Sequence, residues 1–330
     1  MNERSGIICA GNWIVDLVHD IDYWPDESNL ARISAQSRGI GGGPANVISA
    51  LARLQTGILL WPIGAVGRDD YGNFILQECR SLGLPTEHIK TKSKTATAHT
   101  HVMSVAGRSR TFFYQGGAND VISDKDFPFS TFKKSSAKIF YLGYLTLLGK
   151  LDTFDKQNIT GAAKVLKRAK TAGITTCVDL VSMPHPNFQS IVAASTPYID
   201  FLIINEIEAA QATGSILKNS DPDKLVYMAQ DLLNMGVSKA VVIHCVERIA
   251  WVDNNGLKHV FEIEPLPIEQ IVSNLGAGDA FCAGLLYGLH QAWAPERCIW
   301  LAKATAKASL KGHTATESIP PLKELTRNDQ

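Results

Sequence analysis

Short β-rich apolar runs alternate along this chain with longer segments of helical period, and that order leaves few architectures open. Runs at 6–18 and 58–66 flank a helical segment at 45–54, and a second helical segment follows at 70–82. The series resumes with strands at 138–142, 175–180, 200–204 and 240–244, and with helices at 162–172 and 222–235. This is βαβ order. It predicts an α/β fold with a doubly wound, mostly parallel sheet covered by helices on both faces, where ligands bind beyond the carboxyl ends of the strands. Motifs at strand-to-helix turns therefore carry the most weight.

One stretch breaks the pattern. Segments 95–105 and 108–114 alternate β-branched or aromatic residues with polar ones around Ala106-Gly107, the pattern of a hairpin. With residues 30–38 they predict a small β-sheet lid over the crevice. A second hairpin is expected at 250–252 and 258–264 around Asn255-Gly256. At 330 residues and 45% apolar composition the chain can bury a large core. The organisation expected is a single α/β domain over 1–330, with a lid formed by inserted segments at about 12–40 and 95–118.

Lys plus Arg balances Asp plus Glu at 32 each, so no global field favours nucleic acid or an acidic membrane surface as the main partner. The six cysteines (9, 79, 177, 245, 282 and 298) are scattered, with neither a CxxC pair nor a zinc spacing. They read as buried reduced thiols of a cytoplasmic protein. The apolar stretch after Arg4 is interrupted by Asn12 and Asp16, too soon for a signal peptide or a membrane span. Asn158-Ile159-Thr160 matches a glycosylation acceptor only by accident in such a setting.

The strongest chemical signal is Gly276-Ala277-Gly278-Asp279, followed by the apolar segment 280–286. Small residues at a helix start let successive N–H groups converge on an anion, and the helix dipole favours negative charge there. That makes a cradle for phosphate charge, with Asp279 placed to take a proton from a hydroxyl being phosphorylated. The competing reading is a Gly-rich helix start whose Asp offsets the dipole. Gly41-Gly42-Gly43-Pro44-Ala45-Asn46 precedes another helix; Gly42 and Gly43 permit close approach of a ligand hydroxyl, and Asn46 offers donor and acceptor to a polyol. Its plain alternative is a tight loop with Pro in the first helical turn. In Gly64-Ala65-Val66-Gly67-Arg68-Asp69-Asp70-Tyr71-Gly72, Asp69 reads as an N-cap. A lid suits phosphoryl transfer because it excludes the water that competes for the phosphoryl group.

Together these motifs resemble the ribokinase-like, or PfkB, family of carbohydrate kinases. The family's GGxxAN signature stands at Gly41 to Asn46, its GxVGxDxxG element at Gly64 to Gly72, and its GAGDxFxxG signature at Gly276 to Gly284. The resemblance spans nearly the whole chain and implies transfer of a phosphoryl group from ATP, with Mg2+, to a hydroxyl of a sugar or sugar-like molecule. It implies Asp279 as base, with Gly276, Ala277 and Gly278 stabilising charge. It places Asp16, Gly42, Gly43 and Asn46 at the sugar, joined from the lid by His101 and Phe113. It places Asn205, Glu208, His244 and Lys303 at the nucleotide and its magnesium. Asn205-Glu206-Ile207-Glu208 is also a capping box in its own right. Gly117-Ala118-Asn119-Asp120 resembles the family's chain return from lid to core, and a homodimer through the lid is implied in turn. His99 and His101 share one face of a strand without a third metal ligand nearby.

Two positions depart from the family pattern. Ser273-Asn274-Leu275 stands where many members carry the Asp-Thr of a potassium site, so activation by a monovalent cation is not carried over. His244-Cys245-Val246-Glu247-Arg248-Ile249 replaces a loop with two glycines that lies along the nucleotide, so this loop must be built differently. Alternatives are a nucleoside kinase of the same family and a catalytically impaired sugar-binding relative. A dinucleotide-dependent oxidoreductase lacks its GxGxxG after the first strand, and a P-loop kinase lacks GxxxxGK[ST]. Ribose, fructose, a deoxy-sugar acid and a nucleoside all satisfy these residues, with Gly43-Pro44 leaning toward fructokinases. No Lys or Arg cluster lies near Asp16 or Asn46 in the chain, so an unphosphorylated acceptor is expected.

Overall fold

A computed structural model describes residues 4–108, 110–128, 137–216 and 221–326. Nine strands form the main sheet: β1 (Ile7–Gly11), β4 (Leu60–Gly67), β5 (Ile89–Lys92), β8 (Ile139–Leu145), β9 (Thr175–Leu180), β10 (Phe201–Asn205), β11 (Ala240–His244), β12 (Arg248–Asp253) and β13 (Lys258–Glu262). Their order is β13-β12-β11-β10-β9-β8-β1-β4-β5. All neighbours from β11 to β5 are parallel, and the β12–β13 hairpin adds an antiparallel edge. Both faces of the central strands are buried, which is why β1 and β8 read as unbroken apolar runs. Ile8, Ala10, Phe140 and Leu142 point into one core layer, under α4 (Gly161–Thr171), α5 (Phe188–Ser195) and α7 (Pro222–Asn234). Ile7, Cys9, Ile139 and Tyr141 point into the other, under α1 (Gly43–Arg53), α2 (Asp70–Ser81), α8 (Ala277–His290) and α9 (Pro295–Ser309).

The run at 6–18 is two strands. Gly11 takes φ 129, and a Cβ there would lie 2.6 Å from the Gly143 carbonyl oxygen. Next along the chain, the buried Trp13 indole donates to the Ile63 carbonyl at 3.0 Å. The chain thus leaves the main sheet and enters β2 (Ile14–Ile21), the centre of a second sheet with β3 (Ile33–Gly41), β6 (His99–Ser104) and β7 (Thr111–Gln115) in the order β3-β2-β6-β7. Its return is fastened at the same point: the Asn119 amide in α3 (Ala118–Val121) exchanges hydrogen bonds with the backbone N–H and carbonyl of Trp13, at 3.2 and 3.1 Å.

Side-chain alternation gives the lid two unlike faces. Register pairs Asp16 with Thr100, Val18 with Val102 and Asp20 with Ser104, and carries Thr100 on to Tyr114 and Val102 on to Phe112. The opposite face carries Leu17, His19, His99, His101 and Phe113. That second face rests on α2, where the Arg38 guanidinium lies 4.1 Å from the Phe74 ring centre and Tyr71 packs on His99. Asp16 and the pair His101 and Phe113 therefore point in opposite directions. His101 and Phe113, expected at the sugar together with Asp16, thus lie on the other face of the lid, and Thr100, Val102, Phe112 and Tyr114 share the Asp16 face.

Candidate active site

The two glycine-rich signatures meet through their helices. α1 starts at Gly43, after Gly42 with φ 93, a left-handed conformation that only glycine adopts without strain. A Cβ at Gly41 would fall 2.0 Å from Asp16 Oδ2, so the bare turn is what admits the Asp16 carboxylate. Gly276, with φ 71, turns the chain into α8, and a Cβ there would strike Ala315 at 2.3 Å. No side chain caps α8, and the first-turn N–H groups of a helix have no intrahelical acceptors. Asn46 Nδ2 of α1 donates to Asp279 Oδ2 of α8 at 2.8 Å, across 233 residues of sequence.

Sequence reading missed a third element of this contact. The Tyr144 hydroxyl also donates to Asp279 Oδ2, at 3.2 Å. Tyr144, the penultimate residue of β8, takes φ 57, and its ring lies where a side chain at Gly43 would be, 2.6 Å from where a Cβ would stand. Its backbone N–H donates to Asp179 at 2.6 Å, and Tyr141 donates to the same carboxyl at 2.6 Å. Neither tyrosine stands in a recognisable motif, so only the tertiary structure brings them in.

Burial governs the electrostatics. Desolvation raises Asp279 to about 7, opposed by the hydrogen bonds from Asn46 and Tyr144. It raises Asp16 to about 6, opposed by the Thr100 hydroxyl and the Arg110 charge. Asp179 is pushed well above the carboxylate range by burial and by the neighbouring Asp279 charge. Oδ2 of Asp279 holds both donors, so Oδ1 faces no protein donor among the described residues.

At the carboxyl end of β10, Asn205 caps α6 (Glu206–Thr213) in a full capping box: its side chain accepts from the Glu208 N–H at 2.8 Å, and Glu208 Oε2 accepts from the Asn205 N–H at 3.0 Å. Glu208 Oε1 also accepts from Ser182 at 2.9 Å and from Asn205 Nδ2 at 2.8 Å. The cap and the motif are one structure, and burial raises Glu208. His244 ends β11 against the Phe281 ring and beside Gly278, where burial lowers it to about 4. The loop after it is a tight turn closed by Cys245 N–H to the Arg248 carbonyl at 2.9 Å, and no residue from 245 to 249 has a positive φ. Val246 is exposed and Ile249 already lies in β12, so the missing glycines need no left-handed backbone. Lys303 donates weakly to the Glu262 carbonyl, at 3.4 Å. Thr305 beside it is buried and ties α9 to the Ala280 carbonyl of α8 at 2.8 Å, a packing role.

Among the described residues no group of three His, Cys, Asp or Glu side chains is placed to hold a metal ion, and His99 and His101 face each other edge to ring. No helix is long and apolar enough to cross a membrane.

Comparison with known proteins agrees with this fold. A 5-dehydro-2-deoxygluconokinase of Clostridium botulinum is 24% identical over 317 residues, covering 92% of this chain and 88% of its own. The structure of Arabidopsis thaliana ribokinase complexed with ribose and ATP matches with a TM-score of 0.78 at 21% identity, covering 98% of both chains. Ribokinase from Giardia lamblia matches with a TM-score of 0.79 at 18% identity, covering 98% of this chain and 99% of that one. The sequence model of the pfkB family carbohydrate kinases matches residues 5–322, and the chain belongs to that family.

Proposed function

We propose that this kinase transfers the terminal phosphoryl group of ATP to a hydroxyl of an unphosphorylated sugar, with Asp279 as the base that receives the hydroxyl proton. The observation that carries this reading is the 2.8 Å bond from Asn46 to Asp279 Oδ2, which seats the carboxylate at the mouth of α8 and leaves Oδ1 to the acceptor. A carboxyl raised to about 7 suits a general base at neutral pH. Asp16, Gly42, Gly43 and Asn46 orient the sugar, and the N–H groups of Gly276, Ala277 and Gly278 meet charge on the transferring group. The lid face bearing Asp16 closes over the acceptor and keeps water from taking its place.

Asn205 and Glu208 would hold a magnesium ion through its water, and the ion would supply positive charge to the nucleotide phosphates. The donors fit such an ion: a cation that keeps most of its water needs few protein oxygens, and the Glu208 carboxylate, already accepting from Ser182 and Asn205, is rigid enough to orient that water. His244 and Lys303 border the nucleotide. Six buried, unpaired cysteines support a cytoplasmic setting. Exposed Trp24 and Phe113, whose rings stack on the lid, support a homodimer through it, to be checked by sedimentation.

The test is Asp279→Asn assayed by ADP release. General-base removal costs about 10²- to 10⁴-fold in kcat while the sugar's affinity by calorimetry stays within about threefold. Turnover unchanged in this variant removes Asp279 from the reaction.

A further inference from the structure

We propose that Arg110 forms an anion subsite for the acceptor, so that the preferred substrate is a sugar acid whose carboxylate lies against this guanidinium. The proposal rests on the kinase reading above and narrows its substrate class. The relatives' names, a ribokinase and a 5-dehydro-2-deoxygluconokinase, span neutral and acidic sugars and do not choose between them.

Arg110 immediately precedes β7. Continuing the register that pairs Met103 with Thr111, it lies opposite Ser104, in the row of Asp20 and on the same face as Asp16. That face is zoned along the strands. Asp16 and Thr100 lie nearest the body, Val18, Val102 and Phe112 form an apolar middle, and Arg110 stands at the outer row. Its Nη1 reaches back to Ser273 Oγ at 2.9 Å, just ahead of the Gly276 turn, so the guanidinium spans the mouth of the cleft from lid to body.

Arg110 has no carboxylate within 4 Å among the described residues, although seven other ion pairs are formed. Burial lowers its affinity for its proton, and Asp20 and Asp16 offset this only through space. A half-buried guanidinium that spends one N–H on a neutral hydroxyl keeps a planar fork free. That fork matches a carboxylate held by two parallel hydrogen bonds. The nearby acids argue for the acceptor rather than the nucleotide as the source of the anion. Arg110 shares the Asp16 face of the lid, the face proposed to close over the acceptor, and Asp20 and Asp16 are the acids that act on it through space.

The test compares a six-carbon aldonic or deoxy-keto acid with the neutral ketose of the same length, by ADP release, in the native protein, Arg110→Gln, Arg110→Lys and Ser273→Ala. The native protein should favour the acid in kcat/KM by about tenfold or more. Arg110→Gln should raise KM for the acid about ten- to hundredfold, with kcat at saturation within about threefold, and Arg110→Lys should recover part of the loss. The proposal is overturned if the native protein prefers the neutral sugar, or if Arg110→Gln lowers kcat equally for both acceptors. The latter result, reproduced by Ser273→Ala, would make Arg110 a latch for the lid or a contact of the transferring phosphate. If no acceptor yields ADP, the kinase reading itself fails. Calorimetry of the acid against native protein and Arg110→Gln then still decides the subsite, since equal affinities refute it.

Discussion

Tyr144→Phe isolates the group that sets the working pH of the site. Asp279 must be ionised to accept a proton, and burial holds it at about 7. The acid limb of kcat/KM should therefore rise tenfold per pH unit below about 7 and level off above it. The Tyr144 hydroxyl bonds Asp279 Oδ2 at 3.2 Å and so favours the carboxylate form. A hydrogen bond to a charged group contributes about 1.5–3 kcal/mol, and the length of this one puts it at the low end, equivalent to roughly one pH unit. Removing the hydroxyl while keeping the ring on Gly43 should move the limb up by about that unit. Activity at pH 7 then falls roughly fivefold and returns near pH 9. The measurement is ADP release at saturating ATP across about pH 5.5 to 9.5. A variant that loses the same fraction at every pH would show that Tyr144 acts through packing alone. A native limb at or below about pH 5 would show that Asp279 does not function as a desolvated base.

Three further outcomes follow from the same geometry. Asp279→Asn should stabilise the fold: an acid raised from 3.8 to about 7 by burial weakens folding progressively as pH rises between those values, by on the order of 4 kcal/mol in full, whereas the amide does not titrate. Thermal midpoints of variant and native protein should converge near pH 4 and separate toward pH 8, and a constant difference would contradict the burial argument. Gly41→Ala should raise KM for the sugar about tenfold or more with little loss of melting temperature, because its methyl would displace the Asp16 carboxylate, and an unchanged KM would free Asp16 from the sugar. Gly284→Val should cost about 1–3 kcal/mol or more, read by urea unfolding, because a Cβ there lies 2.4 Å from Thr305 Oγ1 and 2.7 Å from the Leu301 carbonyl oxygen and pries α8 from α9.

The parallel sheet was legible because β1 and β8 to β11 are buried on both faces and so read as short apolar runs. What periodicity could not show was that the run at 6–18 changes sheets. Both halves are apolar, and the break rests on Gly11 and on a tryptophan anchored to a distant carbonyl. The two signatures exposed the mouth of α8 and the Asn46 turn because they are contiguous and glycine-rich. That His101 and Phe113 lie on the face away from Asp16 was not legible, because membership of a lid strand is visible in sequence but its face depends on register, and a single step inverts it. Arg110 escaped notice for the same reason. No Lys or Arg stands close to Asp16 in the chain, yet pairing of β2, β6 and β7 carries a residue 94 positions away onto the Asp16 face.

The site's glycines and its acids answer one physical demand. A carboxylate raised to about 7 has to be almost wholly desolvated, yet its donors must still reach it. Backbone approach without side chains is what reconciles these conditions: Gly43 yields its space to the Tyr144 ring, and Gly41 yields its own to Asp16. Crowding then reinforces the effect, since Asp16 and Glu208 each hold Asp279 up through space, and Asp279 does the same to Asp179. Helix packing sets the distances. Gly284 and Thr305 bring α9 onto α8, α8 lies against α1, and Asn46 and Asp279 meet at 2.8 Å because those two helices are held in register by contacts that touch no substrate. Thr305, buried and bonded to the carbonyl of Ala280, the residue after Asp279, is one of those contacts.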